Sequence, residues 1–238
     1  ILILKGGPGC GKSTLMKRVA RQAEERGLDV EYIPCSGDPE SLDAIVLPQK
    51  KAAIVDGTAP HVVEPKYPGV VDRYVNMGDC YDKEGLAVRR QEIMSCMTGY
   101  KGCYQRAYRC LGASAEIFED VRSTLLTDVL GEKLAKRAHG ILSREFKKRK
   151  GVQSGQVKQR FLGAVTHKGA MTLFDTATAQ CDRIYELVDS YGLAHELLVH
   201  ILAGGAAGGY DIVACPDPMA PDRLAHLLVP ELGLAFLT

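Results

Sequence analysis

The chain has 238 residues, a hydrophobic content of 46%, a charged content of 25% and a formal net charge of +1. These values are ordinary for a globular protein with a real core, and no apolar run approaches the roughly 18 residues that a membrane-crossing helix requires. Eight cysteines without a CxxC pair argue against a zinc or disulfide framework and favour a reduced, cytoplasmic setting. Because the first residue is Ile1 and already lies in a predicted strand, we expect the chain to be a piece of a longer protein.

The first predicted elements are a strand, a glycine-rich turn and a helix. Residues 1–4 are a short continuous apolar run, which is typical of a buried parallel strand. The run leads into a complete Walker A pattern, and apolar positions at helical spacing then continue until Gly27. Strand, turn and helix in this order are the context that the motif requires. The residues of the predicted P-loop are Gly6, Gly7, Pro8, Gly9, Cys10, Gly11, Lys12, Ser13 and Thr14.

Each residue type in this loop has a physical role in binding phosphate. Glycines let the backbone wrap closely around phosphate oxygens, so that successive N–H groups and the helix N-terminus point inward. Lys12 supplies a mobile positive charge for the β- and γ-phosphates, and the Ser13 hydroxyl is a ligand for Mg²⁺. We therefore expect the loop to bind a nucleoside triphosphate, ATP, together with Mg²⁺.

The next segment predicts an α/β sheet with a second acid for the metal. A strand over residues 30–33, a short helix capped by Asp38, and an apolar strand over residues 52–56 follow in order. Asp56 ends the last of these strands, as the Walker B acid does, and we assign it with Lys12 to catalysis and with Ser13 to the metal. Two alternatives remain: Asp56 caps the turn that follows it, and Asp38 orients a substrate or water. His61 is interpreted as a surface residue in preference to a phosphate contact.

Residues 82–150 predict a helical insert with breaks at glycines, and the segment 83–160 carries 17 Lys/Arg against 8 Asp/Glu, a net charge of +9. Two stripes at helical spacing are expected to be buried: a tyrosine stripe in the core and a cysteine stripe in a helix contact. The basic run at 144–150 is interpreted as a solvated helix end, so neither nucleic acid nor a membrane is expected as a partner. The stripes are Tyr100, Tyr104 and Tyr108, and Cys96, Cys103 and Cys110.

Comparison of the chain with itself predicts a second, degenerate P-loop repeat. With a constant offset of 182, residues 27–55 align with 209–237, and three prolines match in register. At that offset Leu193, Ala194 and His195 replace the Gly-Lys-Ser of the Walker A motif, and nearby acids would repel phosphate. We therefore expect residues 1–158 to form a first P-loop NTPase repeat and residues 159–238 to form the N-terminal part of a second one, truncated and without triphosphate chemistry.

Three stretches together resemble a family: I-L-K-G-G-P-G-x-G-K-S-T-L-M, V-D-G-T-A-P-H, and the repeat that ends V-P-E-L-G-L-A-F. The family is a little-characterised bacterial group of tandem-repeat P-loop proteins, usually labelled ATPase or nucleotide kinase. The resemblance covers nearly the whole chain. It implies a P-loop NTPase-like fold, with a parallel sheet flanked by helices, and a cytoplasmic location, and it implies no defined substrate.

Three functions fit these features. The first is an ATPase that uses Mg²⁺ and hydrolysis to drive a conformational change. The second is an ATP-dependent kinase for a small molecule of nucleoside or nucleotide type. The third is a non-catalytic nucleotide switch that binds a protein partner. The sequence leaves the small-molecule or protein partner undefined.

Overall fold

The computed structural model describes residues 1–59, 62–147, 149 and 151–238, so His61 lies outside the described residues. The chain is an α/β protein with mixed sheets flanked by helices, and it divides into two compact units, residues 1–99 and 100–238. None of the helices in the described ranges has the length and apolar character needed to span a membrane.

The first unit is a five-stranded sheet with one long helix against it. The strand order is β2-β3-β4-β1-β5, and β1 lies parallel to both of its neighbours, β4 and β5. The elements are β1 Leu2–Lys5, α1 Lys12–Glu24, β2 Glu31–Pro34, β3 Leu42–Leu47, β4 Ala52–Asp56 and β5 Arg73–Asn76. Met16 and Ala20 of α1 are fully buried against Leu4 and Ile45 of the sheet, which fixes the start of α1 at the carboxyl end of β1.

The prediction of a parallel sheet is wrong for the half of the sheet that contains β2 and β3. No helix follows β2; the chain instead turns back at once, and β3 pairs antiparallel with both β2 and β4. Asp38 caps this turn and not a helix: the Glu40 amide and the Ser41 hydroxyl both donate to its carboxylate, at 3.3 and 2.6 Å. Seven residues separate the two strands, and β3 contains mainly β-branched and apolar residues, which favours a strand there over a helix.

Three helices follow β5 and precede β6 along the chain: α2 Lys83–Val88, α3 Arg90–Leu125 and α4 Asp128–Glu145. The predicted breaks at glycines are wrong, because α3 and α4 run through all of them. The chain breaks instead before Thr127, whose side chain accepts a hydrogen bond from the Leu130 amide at 3.3 Å as the N-cap of α4. The two predicted buried stripes are also wrong: Tyr100 and Tyr108 are 45% and 55% exposed, and the three cysteines of α3 are exposed.

The second unit contains a five-stranded sheet in the order β6-β10-β11-β12-β9 and a separate β7–β8 hairpin. Its largest core packs α4 and α6 on one face of the sheet, where Leu198, Ile201, Tyr210 and Phe236 are almost fully buried. Its elements from β6 onward are β6 Val157–Gln159, β7 Gly163–Thr166, β8 Gly169–Thr172, α5 Phe174–Gln180, β9 Arg183–Glu186, α6 Ala194–Ala207, β10 Ile212–Asp217, β11 Ala220–Val229 and β12 Leu234–Leu237.

The same series of elements occurs in both units at a spacing of 182 residues. Four strands, β1 to β4 in the first unit and β9 to β12 in the second, have the same order and the same parallel or antiparallel pairing. The correspondence extends to a bulge before Pro34 in β2 and before Pro216 in β10. It also includes a left-handed residue before β4 and before β12, Lys51 with φ 49° and Gly233 with φ 57°.

Candidate functional site

The glycine-rich loop between β1 and α1 has backbone dihedral angles that residues other than glycine rarely adopt. Gly9 and Gly11 have φ of 76° and 86°, in the left-handed region that favours glycine, and Gly11 directly precedes α1. Alternation of such residues with ordinary ones makes consecutive amides point to one side. Gly11, the N-cap of α1, has no side chain to accept a hydrogen bond, and the first turn of α1 has no acidic residue, so neither neutralises the positive end of the helix.

Lys12 folds back over this loop. Its Nζ donates to the carbonyl oxygens of Gly6 and Gly7 at 2.6 and 2.8 Å, and the Asp56 carboxylate lies at 3.4 Å. The lysine is only 9% exposed. A nearly buried ammonium needs such partners, because taking an unpaired charge out of water is costly. Cys10 Sγ, at 3.8 Å from the same nitrogen, is a weaker fourth contact.

Asp56 reaches the lysine because its strand lies next to the strand that enters the loop. In the parallel pairing of β1 with β4, Asp56 stands opposite Leu4, so both strands end at the same edge. Its second carboxylate oxygen accepts hydrogen bonds from the amide of Thr58, at 2.9 Å, and from the Thr58 hydroxyl. The residue thus both caps its turn and faces Lys12, so the two interpretations of Asp56 are compatible.

Ser13 connects the loop to the β2–β3 hairpin. Its Oγ accepts a hydrogen bond from the Leu42 amide at 3.0 Å, at the place where the bulge before Pro34 shifts the strand register. The hydroxyl gives this amide a partner, and a hydroxyl keeps a second lone pair for another ligand.

Two side chains that the sequence did not indicate also hold the site. The Tyr81 hydroxyl accepts a hydrogen bond from the Gly7 amide, across 74 positions of the chain. Lys5 Nζ donates to the carbonyls of Gly57 and Val63, at 2.8 and 3.0 Å, and pairs with Glu64. Tyr81 belongs to no motif, and only the fold brings it to the loop. Lys5 lies in the I-L-K-G-G-P-G stretch, but its partners at positions 57, 63 and 64 are set by the fold.

In the corresponding loop of the second unit, the carboxylate of Asp189 binds the backbone amides. The Asp189 carboxylate accepts hydrogen bonds from the amides of Leu193 and Ala194, at 2.8 and 2.7 Å, and from the Tyr191 amide at 3.3 Å. These amides lie at the N-terminus of α6, where backbone N–H groups have no partner within the helix. A carboxylate thus occupies the place where an external anion would bind such a turn.

His195 takes the structural place of Ser13 in the second unit. Its Nδ1 accepts a hydrogen bond from the Leu224 amide at 2.9 Å, which is the same contact as that of Ser13 with Leu42, 182 residues earlier. Burial lowers the pKa of His195, and the positive charge of nearby Arg223 lowers it further. Arg223 also donates a hydrogen bond to the Gly192 carbonyl at 2.8 Å, so a second side chain holds the loop that precedes α6.

No group of three or more His, Cys, Asp or Glu side chains suitable for a metal ion occurs among residues 1–59, 62–147, 149 and 151–238. The Ser13 hydroxyl and the Asp56 carboxylate are oxygen groups near the loop that could face a metal ion. Such a pair suits Mg²⁺ only in company with phosphate oxygens and water, which is how Mg²⁺ is commonly held in nucleotide sites.

Comparisons of the chain with protein-family models, with curated proteins and with solved structures gave no match.

Proposed function

We propose that the first unit binds ATP with Mg²⁺ at residues 6–14 and hydrolyses it. One observation carries the proposal: an almost buried lysine lies over a turn with left-handed glycines, beside a carboxylate at the end of the adjacent parallel strand. This combination gathers positive potential and backbone donors at one point. A polyanion with a metal is the ligand class that matches it.

Binding would exchange one set of contacts for another. The carbonyls of Gly6 and Gly7 stabilise the Lys12 ammonium only while no better acceptor is present. Phosphate oxygens form stronger, charge-assisted hydrogen bonds than neutral carbonyls do. Lys12 would therefore turn from these carbonyls to the β- and γ-phosphates, while the loop amides and the N-terminus of α1 bind the remaining oxygens.

Ser13 and Asp56 fit the metal that accompanies the nucleotide. The hydroxyl would ligate Mg²⁺ directly, and Asp56 would hold it directly or through water, as the acid at the end of the neighbouring strand. When bound, the ion neutralises charge on the phosphates. The Asp56 oxygen that now faces Lys12 is the one available for this role, because the other oxygen accepts hydrogen bonds from Thr58.

The hydrolysis step needs little covalent chemistry from the chain. Phosphoryl transfer spreads negative charge over the oxygens of the transferring group, so a lysine and aligned amides at fixed positions lower the barrier electrostatically. Lys12 would hold these oxygens and orient the γ-phosphate. Asp56 would hold the Mg²⁺ that the Ser13 hydroxyl also ligates.

The decisive experiment is isothermal titration of Mg²⁺-ATP into the wild-type chain and the Lys12→Ala variant, with phosphate release measured in parallel. One charged hydrogen bond contributes about 1.5–3 kcal/mol, and 1.4 kcal/mol is a factor of ten in affinity. Loss of the two bonds that Lys12 would make to phosphate should therefore weaken binding by about 100-fold or more. Lys50→Ala removes the same charge from an exposed site and should bind ATP normally.

The measurements also separate the reactions. Phosphate release without any acceptor supports hydrolysis. Tight binding without turnover would contradict it, and so would ADP formation that needs an added nucleoside or sugar and leaves the phosphoryl group on that acceptor. Unchanged affinity in Lys12→Ala, with a normal melting temperature, would overturn the site itself. Ala194→Lys, which places a lysine at the matching position of the second unit, should create no ATP site, because Asp189 already binds the amides there.

A further inference from the structure

Each of the two large sheets has one strand that the other lacks. In spatial order, β10, β11, β12 and β9 of the second unit match β2, β3, β4 and β1 of the first. The second sheet continues beyond β10 with β6, and the first sheet continues beyond β1 with β5. In the first sheet β2 is therefore an edge strand, although the matching strand of the second unit pairs on both sides.

The second unit shows how this edge is covered when a strand is present. β6 runs parallel to β10. The Ile212 amide donates a hydrogen bond to the Gln156 carbonyl at 2.9 Å, and the Arg160 amide donates one to the Ala214 carbonyl at 3.0 Å. The Asp211 carboxylate, just before β10, accepts a hydrogen bond from the Gln156 amide at 2.7 Å. The added strand is thus held by alternate backbone groups of β10 and by one acidic side chain.

The first unit has the same groups at its open edge. Val30, Tyr32 and Asp29 match Ile212, Ala214 and Asp211 at the spacing of 182 residues. The Val30 amide has no hydrogen-bond acceptor among residues 1–59, 62–147, 149 and 151–238. The exposed Asp29 carboxylate uses one oxygen for the Gln49 side chain, which leaves the other oxygen for a further donor. Tyr32 is 43% exposed, so solvent reaches this edge.

The proline of β2 does not prevent pairing at this edge. Proline and charged residues often protect edge strands, and β2 contains Glu31 and Pro34. However, Pro216 occupies the matching place in β10, which β6 covers all the same. In both strands the proline comes after the residues whose backbone groups face the edge, so it removes none of the required donors.

Charge indicates the chemistry of a strand that would fit. Residues 29–34 contain two acids and no base, whereas residues 155–161, which are β6 and its neighbours, contain two bases and no acid. The bases are Lys158 and Arg160. Opposite charges on adjacent strands stabilise their pairing, so a basic segment suits the edge of β2 even better than β6 suits β10.

We infer that the β2 edge binds an extended, basic segment of a partner protein, which adds to the sheet as a parallel strand in the place that β6 takes on β10. The backbone groups of Val30 and Tyr32 supply the main-chain hydrogen bonds, and Asp29 binds the amide that enters the strand. Recognition by strand addition takes its affinity from such main-chain bonds and its selectivity from the side chains beside them. The inference does not depend on nucleotide binding at residues 6–14.

A peptide with the sequence of residues 155–161, Gly-Gln-Val-Lys-Gln-Arg-Phe, is the probe. NMR titration of the ¹⁵N-labelled full chain should show saturable binding with a Kd of about 1 mM or below, because each main-chain hydrogen bond contributes up to about tenfold in affinity. The amide signals of Val30 and Tyr32 should shift. Failure to bind overturns the inference, and so do shifts confined to Ile212 and Ala214, since the peptide would then have displaced β6.

Two N-methylated peptides form a matched pair that tests strand addition. Successive amides of a strand point to opposite sides, and in β6 the Arg160 amide faces β10. Methylation of the peptide nitrogen at position 160 removes the donor to the Tyr32 carbonyl and should weaken binding by about tenfold or more. The same methyl group at position 159 lies on the outer side and should leave the Kd unchanged. Equal Kd values for the two peptides would rule out pairing through the backbone.

Variants of the chain and of the peptide test the side chains and the direction. Asp29→Ala should weaken binding by about tenfold, while Glu84→Ala, which removes an exposed acid elsewhere in the first unit, should not. A peptide with Lys158→Glu and Arg160→Glu should bind more weakly by a similar factor. Equal affinity of this peptide would overturn the basic partner, and equal or tighter binding of the reversed sequence would overturn the parallel direction.

A second copy of the chain is the competing occupant of an open edge. Tyr32→Pro removes the amide that the added strand needs, so it should abolish peptide binding and leave the sedimentation velocity of the chain unchanged. Self-association of the wild type that Tyr32→Pro abolishes would show that β2 pairs with another copy, and would overturn the inference. Circular dichroism checks that the variant folds, and Asp29→Ala provides the same comparison without a proline.

Discussion

Replacement of Asp189 by alanine tests whether a built-in carboxylate stabilises the second unit. The side chain accepts two short hydrogen bonds from backbone amides at the start of α6, at 2.8 and 2.7 Å, and a longer one at 3.3 Å. Leu197, Leu198 and Ile201 of α6 belong to the main core of this unit. Loss of the carboxylate should therefore loosen an element on which the core depends.

The expected loss in the free energy of unfolding is about 2–3 kcal/mol. Replacing a capping residue by alanine costs about 0.5–2 kcal/mol, and a negative charge at a helix N-terminus contributes about 0.3–1 kcal/mol more. Asp189 stabilises two amides where an ordinary cap stabilises one, which places the estimate at the upper end. Water reaching the vacated amides limits the loss, because the site is only partly buried.

Urea unfolding followed by circular dichroism measures this loss, and Asp222→Ala, which removes an exposed carboxylate, is the control. Inorganic phosphate provides a second readout, because the vacated amides form an anion site. Phosphate at ten times its Kd for the vacated site should restore about 1.4 kcal/mol to Asp189→Ala, in addition to any stabilisation through residues 6–14, which the two proteins share. A loss below about 0.5 kcal/mol, or equal phosphate stabilisation of both proteins, would refute the reasoning.

Two further predictions concern protonation and backbone strain. Burial lowers the pKa of His195 and of His226, so the folded chain keeps both imidazoles neutral while the unfolded chain protonates them near pH 6.5. The free energy of unfolding should therefore fall as the pH drops below about 6.5, and His195→Asn with His226→Gln should flatten this slope in urea titrations. Lys51→Gly should stabilise by about 0.5–1 kcal/mol, because Lys51 has φ 49° where glycine is favoured. Gly233→Ala should destabilise, because Gly233 has φ 57°, which residues with a side chain rarely adopt; thermal melting of both variants checks the opposite signs.

Local signals predicted the elements around the glycine-rich loop, because strand, turn and helix there each depend on neighbouring residues. Residues 30–33 and 52–56 were also predicted as strands, and β2 and β4 lie there. The direction of β3 was not predictable in the same way. Residues 38–47 contain a helix-capping pattern, Asp38 before Pro39, and only the hydrogen bonds of β3 to strands on both sides make it a strand.

The predictions that the tyrosine and cysteine stripes of α3 are buried failed for one physical reason. Periodicity shows that one side of a helix is apolar, but it does not show what covers that side. Tyr100 and Tyr108 have the spacing of core residues, and the fold leaves them exposed. Tyr81 presents the converse case: no pattern marks it, yet its hydroxyl meets the Gly7 amide because β5 places the following turn beside the loop.

The Ser13 contact with the Leu42 amide ties the loop of the first unit to a hairpin at the edge of its sheet, whereas the matching contact of the second unit lies away from a sheet edge. Any ligand that draws the serine hydroxyl toward itself also pulls on the bulged hairpin, whose outer strand β2 forms one border of its sheet. In the second unit a bulky imidazole makes the same contact, and β6 covers the matching strand, β10. Under the proposed function, a ligand of the first loop would therefore act on an edge strand, whereas in the second unit β6 pairs with the matching strand.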